Sequence, residues 1–265
     1  MRFRIPPSQE ALQALHDDGY QKFYGDDAPE YAAAHLEKLR DRVRYLQGHI
    51  AQGAVLDIGC STGLLMMELA RAGFLPHGCD VSREACAASR KSFSEDRICQ
   101  GTTTQALRYF GAERFDAVTL MDVLEHFDDA ASGLKAISAL LKPGGILFLR
   151  TPSLSSPFFR IADWSYKMTF GRYKRAVQMI YHAEHIYFFT EKGLRMLLEE
   201  TGFEVLAVAP DPLPWRTFRQ AELNYGLAVN TALALVYFLS RAAGGGHGVK
   251  IIARRRKDAD MPTAV

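Results

Sequence analysis

The chain has 265 residues, 48% of them hydrophobic, enough to bury one sizeable core, and its 32 basic and 30 acidic residues nearly cancel. No global field therefore points to nucleic acid, and the basic run Arg254, Arg255, Arg256 and Lys257 reads as a solvated tail. The longest apolar stretch, residues 227–239, contains Asn230 and Thr231 and falls short of the roughly 20 residues that span a membrane.

The opening residues, Met1-Arg2-Phe3-Arg4-Ile5-Pro6-Pro7, lack the apolar centre of a signal peptide, so a cytoplasmic protein is expected. Residues 8–50 carry apolar positions at helical spacing, through Tyr31, Leu36, Leu39, Val43 and Leu46, and predict helices leading into a sheet. The rhythm then changes. Residues 54–58 form a short apolar run ending at a Gly-rich turn, and 64–72 return to helical spacing. The pair repeats as a strand at 75–79 and a helix at 82–93, then a short strand at Ile98 and Cys99 and a helix at 103–110. A strand at 115–120, a helix at 130–141, the turn Lys142-Pro143-Gly144-Gly145 and a strand at 146–150 follow. Such alternation predicts a mostly parallel sheet with helices on both faces, in which ligands bind at the carboxyl ends of the strands.

From 152 to about 189 the alternation stops, and Phe158, Phe159, Trp164, Tyr166, Phe170, Tyr173 and Tyr181 suggest a lid. Thr190 then reads as a helix N-cap with Glu191 in the first turn and Gly202 as the stop. Strands are expected at 203–209 and 249–253, separated by the apolar helix at 227–239, for which burial or a homodimer contact is favoured over membrane contact because only Arg219 and Arg241 flank it. The predicted organisation is a helical segment at 1–50, a core at 51–151, the aromatic lid at 152–189, the rest of the core at 190–254 with a helical insertion at about 219–243, and a basic, flexible tail at 255–265. Cys60, Cys79, Cys86 and Cys99 lack paired CxxC spacing and read as reduced, buried thiols.

The strongest signal is Val55-Leu56-Asp57-Ile58-Gly59-Cys60-Ser61-Thr62-Gly63-Leu64-Leu65. Gly59 and Gly63 let the backbone turn sharply against a ligand, while Ser61 stands where a dinucleotide loop needs its second glycine. The Asp57 carboxylate is a poor neighbour for a pyrophosphate and suits a ligand with an amino group. Asp80, 21 positions after Gly59 at the end of the next strand, can accept both hydrogen bonds of a ribose diol.

These residues, with Phe115-Asp116-Ala117-Val118, Met121-Asp122-Val123-Leu124-Glu125-His126 and Leu141-Lys142-Pro143-Gly144-Gly145, resemble the class I S-adenosylmethionine (SAM)-dependent methyltransferases. The resemblance implies a Rossmann-like α/β fold with a mostly parallel seven-stranded sheet, a lid insertion after the fifth strand, and SAM as cofactor with S-adenosylhomocysteine (SAH) as product. It also implies cofactor contacts at Asp57, Gly59, Cys60, Ser61, Gly63, Asp80, Val81, Met121 and Asp122, with Thr102 where many members carry an acid for the adenine. The segment from Tyr181 through His182, His185 and Thr190 resembles the branch holding ubiquinone-biosynthesis O-methyltransferases and natural-product and sugar methyltransferases. That branch implies a hydroxylated small-molecule acceptor and no nucleic acid.

Direct SN2 transfer needs alignment of the acceptor oxygen and removal of its proton near neutral pH, work that suits imidazole. His182, His185 and His126 are the candidate bases, with no metal expected. Two alternatives stand beside this reading. Asp122, Glu125 and His126 with His182 and His185 resemble the metal-binding arrangement of small-RNA 3′-terminal ribose methyltransferases, where Mg²⁺ or Zn²⁺ would polarise a hydroxyl. The other is a SAM-binding protein without catalysis.

Overall fold

A computed structural model describes residues 2–3, 29–168, 185–211 and 246–257, together with the helical positions 234, 235, 237, 238 and 241. Its elements in chain order are β1 (Arg2–Phe3), α1 (Pro29–Gln47), β2 (Ala54–Ile58), α2 (Leu64–Arg71), β3 (Leu75–Asp80), α3 (Arg83–Ser89), β4 (Ile98–Gln100) and α4 (Thr103–Phe110). They continue with β5 (Phe115–Met121), α5 (Ala130–Leu140), β6 (Leu141–Pro152), α6 (Pro157–Met168), β7 (Tyr187–Phe188), α7 (Glu191–Glu200), β8 (Phe203–Asp211) and β9 (Gly248–Arg255).

Seven strands form one sheet in the order β4-β3-β2-β5-β6-β9-β8, and β1 pairs with β7 in a separate two-stranded ribbon. The first five of the seven run parallel, while β9 is antiparallel to both β6 and β8. The order reverses at β2, from which the chain winds outward to β3 and β4 and then back to β5, so the strand ends of β2 and β5 flank the crevice where such sheets bind ligands.

Strand alternation divides the core between the two faces. Leu56, Ile58, Val118, Leu120, Leu147 and Leu149 pack with α5 and α7 on one face. Val55, Ala117, Ile146, Phe148 and Ile252 pack with Leu39, Val43 and Leu46 of α1 and Leu65 and Leu69 of α2 on the other. Asp57, Thr119, Met121, Arg150 and Lys250 share the parity of this second set, so β2, β5, β6 and β9 direct these polar or half-buried groups toward α1.

Caps fix where the helices begin. Ser82 accepts from the Ala85 amide, Asp129 from those of Ala131 and Ser132, and Thr190 from that of Gly193 as expected. The Lys142-Pro143-Gly144-Gly145 segment is not a turn ahead of a strand but an excursion inside β6. Phe115 pairs with Leu141 and Ala117 already with Ile146, and Gly144 takes a φ of +80° to make the detour.

Of the segment expected to form a lid, α6 and residues 185–189 are described: Phe159 is buried and Trp164 exposed. Residues 169–184, including Phe170, Tyr173, Tyr181 and His182, lie outside the described residues, as does most of 227–239. Within the latter, Tyr237 is buried while Leu235 and Phe238 are exposed. Among the described residues no helix is long and apolar enough to cross a membrane. All four cysteines are free and buried.

Candidate active site

The loop after β2 turns on three residues with positive φ, Gly59 at +74°, Ser61 at +48° and Gly63 at +82°. Its first two amides both donate to the carbonyl of Cys79 at the end of β3, and Gly63 N donates to Cys60 O, closing the turn ahead of α2. At Gly59 a side chain is excluded twice over: the backbone is left-handed, and a Cβ would stand 2.4 Å from Val123 Cγ2. The loop after β5 therefore presses on the loop after β2, and the two strand ends form one wall.

Asp80 organises the next stretch. Its Oδ2 accepts from Ser61 N and its Oδ1 from Ser82 N, both at 2.9 Å, so one carboxylate ties the glycine turn to the start of α3. A carboxylate at this position can also accept from the hydroxyls of a ribose diol. Val81 beside it is exposed. Thr102 caps α4, and its amide donates to Gln105 Oε1 at 2.6 Å in a capping box, with the side chains of both residues at the surface.

Asp57 is buried, and Thr119 Oγ1 donates to its Oδ1 at 2.6 Å. Burial pushes its carboxyl up to about 7, against the opposing pull of Thr119 and the Arg42 charge. An incoming ammonium would restore the carboxylate by giving it a counter-charge. Arg42 of α1 lines one small cavity with Thr119, Met121 and Leu65, and so stands on the same side of the strand ends as Asp57. An amino acid moiety placed here finds an acid for its amino group and a guanidinium for its carboxylate. The cradle fits the methionine end of SAM, and Asp80 fits its ribose.

Met121 is half-buried at the end of β5, and Asp122 after it adopts a φ of +61°, held by its amide donating to Arg150 O at 2.9 Å. The Asp122 side chain is engaged by Arg42, at 3.2 Å, and by Arg150. Arg150 in turn bonds Asp211 of β8 at 2.8 Å. The cofactor wall is thus braced across the sheet by a chain of charges.

A short helical turn, Leu124–His126, then brings Glu125 and His126 to the opposite side of the strand ends. Glu125 is buried, its Oε2 accepts from Thr151 Oγ1 at 2.9 Å, and its backbone carbonyl accepts from Ile186 N at 2.8 Å. The latter bond fixes His185 beside it. The rings of His126 and His185 meet edge to face with centroids 4.8 Å apart, and a ligand atom of each lies within 4.8 Å of a Glu125 carboxylate oxygen. Burial pushes the Glu125 carboxyl up to about 7, with Thr151 and Arg42 opposing. Its Oε1 is buried without a hydrogen-bond partner among the described residues.

The structure therefore brings together Asp57, Gly59, Cys60, Ser61, Gly63, Asp80, Val81, Met121 and Asp122 around one crevice, with His126 and His185 at its far side. Sequence reasoning missed Arg42, Thr119, Arg150 and Thr151. The signal for three of them was present: Thr119 and Arg150 alternate in step with Met121 and Phe148, and Arg42 sits beside Val43 on a helix whose buried positions include Leu39 and Leu46.

Comparison with known proteins agrees with this geometry. Residues 30–208 match the methyltransferase-domain family. The ubiquinone biosynthesis O-methyltransferase of Xanthomonas campestris pv. campestris is 34% identical over 169 residues, which cover 59% of this chain and 70% of that one. The enzyme of the same name from Haemophilus ducreyi is 39% identical over 104 residues, 37% of this chain and less than half, 44%, of its own length. Among solved structures, a SAM-dependent methyltransferase from Archaeoglobus fulgidus superposes with a TM-score of 0.60 at 16% identity, covering 91% of this chain and 99% of that one. The magnesium protoporphyrin IX methyltransferase of Synechocystis PCC 6803, solved with bound SAH, gives 0.58 at 16% identity, covering 93% and 97%. At such identities the structures speak for the fold alone, whereas the family match spans well over half of the sequence: the chain belongs to the class I SAM-dependent methyltransferases.

Proposed function

We propose that this enzyme methylates a hydroxyl group of a small molecule, with His185 or His126 taking the hydroxyl proton. The observation that carries the reading is the His126–His185 pair, 4.8 Å between centroids, at the strand ends directly after Met121. The O-methyltransferase relatives support a hydroxyl as the acceptor.

Bound SAM supplies an activated methyl group and leaves as SAH. The chain's own task is alignment and proton removal. Asp57, Arg42 and the Gly59 to Gly63 turn hold the amino acid end, Asp80 holds the ribose, and the two imidazoles face the acceptor oxygen. As the new C–O bond forms and the S–C bond breaks, the hydroxyl proton passes to a neutral imidazole and then to solvent. Glu125, whose carboxyl burial holds up to about 7, lies beside both imidazoles and would stabilise an imidazolium to the extent that it gives up its own proton. Single His126→Ala and His185→Ala variants test this. At least one should keep SAH affinity and stability while its transfer rate falls about 100-fold or more, and normal turnover by both would refute the base assignment. His182→Ala belongs in the same series.

A second reading is favoured by one observation, the convergence of Glu125, His126 and His185. Oxygen and imidazole donors with an unbonded Glu125 Oε1 suit Mg²⁺ or Zn²⁺, which would polarise the acceptor hydroxyl. Loss of activity in chelator and recovery with one divalent ion would select it over the metal-free base.

A further inference from the structure

Under α1, on the side of the sheet away from the histidine pair, cations outnumber acids. Arg42 and Arg150 are 7% and 5% exposed, and the Lys250 side chain is 21% exposed. Lys38, one helical turn before Arg42 and therefore on the same face, is half-buried. Two carboxylates pair with these four cations, and a third acid near Arg42, Asp57, is the one that the cofactor amino group would match. Asp122 is shared by Arg42 and Arg150, and Asp211 by Arg150 and, at 3.7 Å, Lys250, whose ammonium also lies 5.0 Å over the Tyr45 ring. Nothing of the kind is left for Lys38: among the described residues it has no hydrogen bond or ion pair. On its own helix the acid within a turn, Asp41, is exposed and paired with Arg44, and the partly buried neighbour His35 is held toward the neutral form by burial and by Arg42 and Lys38.

Lys38 responds accordingly. Burial and the charges of Arg42 and Arg150 outweigh Asp211 and bring its ammonium down to about 7. A half-buried cation crowded by two guanidinium groups is costly unless an anion joins it. The cofactor carboxylate can satisfy Arg42, which acts on Asp57. Lys38 feels the charges of Arg150 and Asp211, the pair that joins β6 to β8. The remaining excess is a single positive charge, which matches a carboxylate better than a doubly charged phosphate ester.

Arg150 and Thr151 are successive residues of β6. The first side chain enters this cationic group, and the second bonds Glu125 beside the histidine pair. A molecule lying across the end of β6 can thus reach both. We propose that Lys38, with Arg150 and Lys250 behind it, binds a carboxylate of the methyl acceptor, so that the acceptors are hydroxylated carboxylic acids whose acid and hydroxyl groups lie at opposite ends. This rests on the hydroxyl-methylating function proposed above.

The probes are 3,4-dihydroxybenzoate and its isosteric neutral amide, 3,4-dihydroxybenzamide, titrated into the full-length protein saturated with SAH. The acid should bind about tenfold or more tighter than the amide; Lys38→Met should erase that preference while leaving SAH affinity within about twofold, and Lys38→Arg should keep it. Equal binding of acid and amide by the unmodified protein, or no binding of either, overturns the proposal. So does a Lys38→Met variant that loses SAH affinity and retains the acid preference, because the cation would then serve the cofactor. If Lys38→Met does not fold, the acid–amide comparison in the unmodified protein and in Lys38→Arg decides alone. Tight, acid-selective binding without methyl transfer would support the subsite and count instead against the proposed reaction.

Discussion

Replacing Gly59 by alanine perturbs the contact between the two loops that frame the cofactor site. The added Cβ would lie 2.4 Å from Val123 Cγ2, whereas unbonded carbons rest about 3.5 to 4.0 Å apart, so one loop must retreat. Two costs are separable. Holding a Cβ at the observed φ of +74° costs about 1 to 2 kcal/mol, and overpacking against Val123 a further 1 to 3 kcal/mol or so. The single variant should therefore lose about 2 to 5 kcal/mol in denaturant unfolding, and its SAH affinity should fall because the retreat moves the turn that Asp80 anchors through Ser61. Val123→Ala removes the obstructing methyls. In the double variant Gly59→Ala/Val123→Ala the overpacking share should return, as a coupling of about 1 to 3 kcal/mol, and the backbone share should not. A single variant as stable and as tight for SAH as the parent, or a double variant with no recovery, would refute the account of this wall.

Asp80→Asn turns one of two acceptors into a donor facing a backbone N–H and removes the charge, so SAH affinity should drop roughly 10- to 100-fold by calorimetry. Arg150→Met takes from Asp122 and Asp211 one of the two cations that each shares and should cost about 1 to 3 kcal/mol in urea unfolding. Burial raises the folded-state pKa of Glu125 from 4.5 to about 7, so between those values the folded protein holds a proton that the unfolded chain releases. The stability Glu125 contributes is then full below about pH 4.5 and is lost as pH rises through about 7. Glu125→Gln should flatten that part of the stability profile, with the slope unchanged in the variant counting against a buried neutral carboxyl.

Much of the sheet was legible because its strands are short, apolar and separated by capped helices. Thr103–Phe110 matches the expected helix to the residue, and Thr190 caps α7 as read. The ribbon of β1 with β7 escaped notice because two-residue strands carry no period, and their partners lie far apart in sequence. The excursion in β6 read as a turn because Pro and Gly mark chain reversal locally, while the pairing that continues across it is tertiary. In the site, the glycine turn and Asp80 announced themselves through spacing. The braces did not: Arg42, Arg150 and Asp211 belong to no motif, and only when the sheet folds them under α1 does the excess of positive charge around Lys38 become visible.

The central claim is that the crevice between the Gly59 turn and the His126–His185 pair orients a methyl sulfonium toward a hydroxyl. A crystal structure of the protein with SAH tests this most directly. The amino acid end should lie between Asp57 and Arg42, the ribose on Asp80, and the sulfur should face the gap before His126 and His185. A sulfur turned away from the two imidazoles, or a ribose out of reach of Asp80, would contradict it.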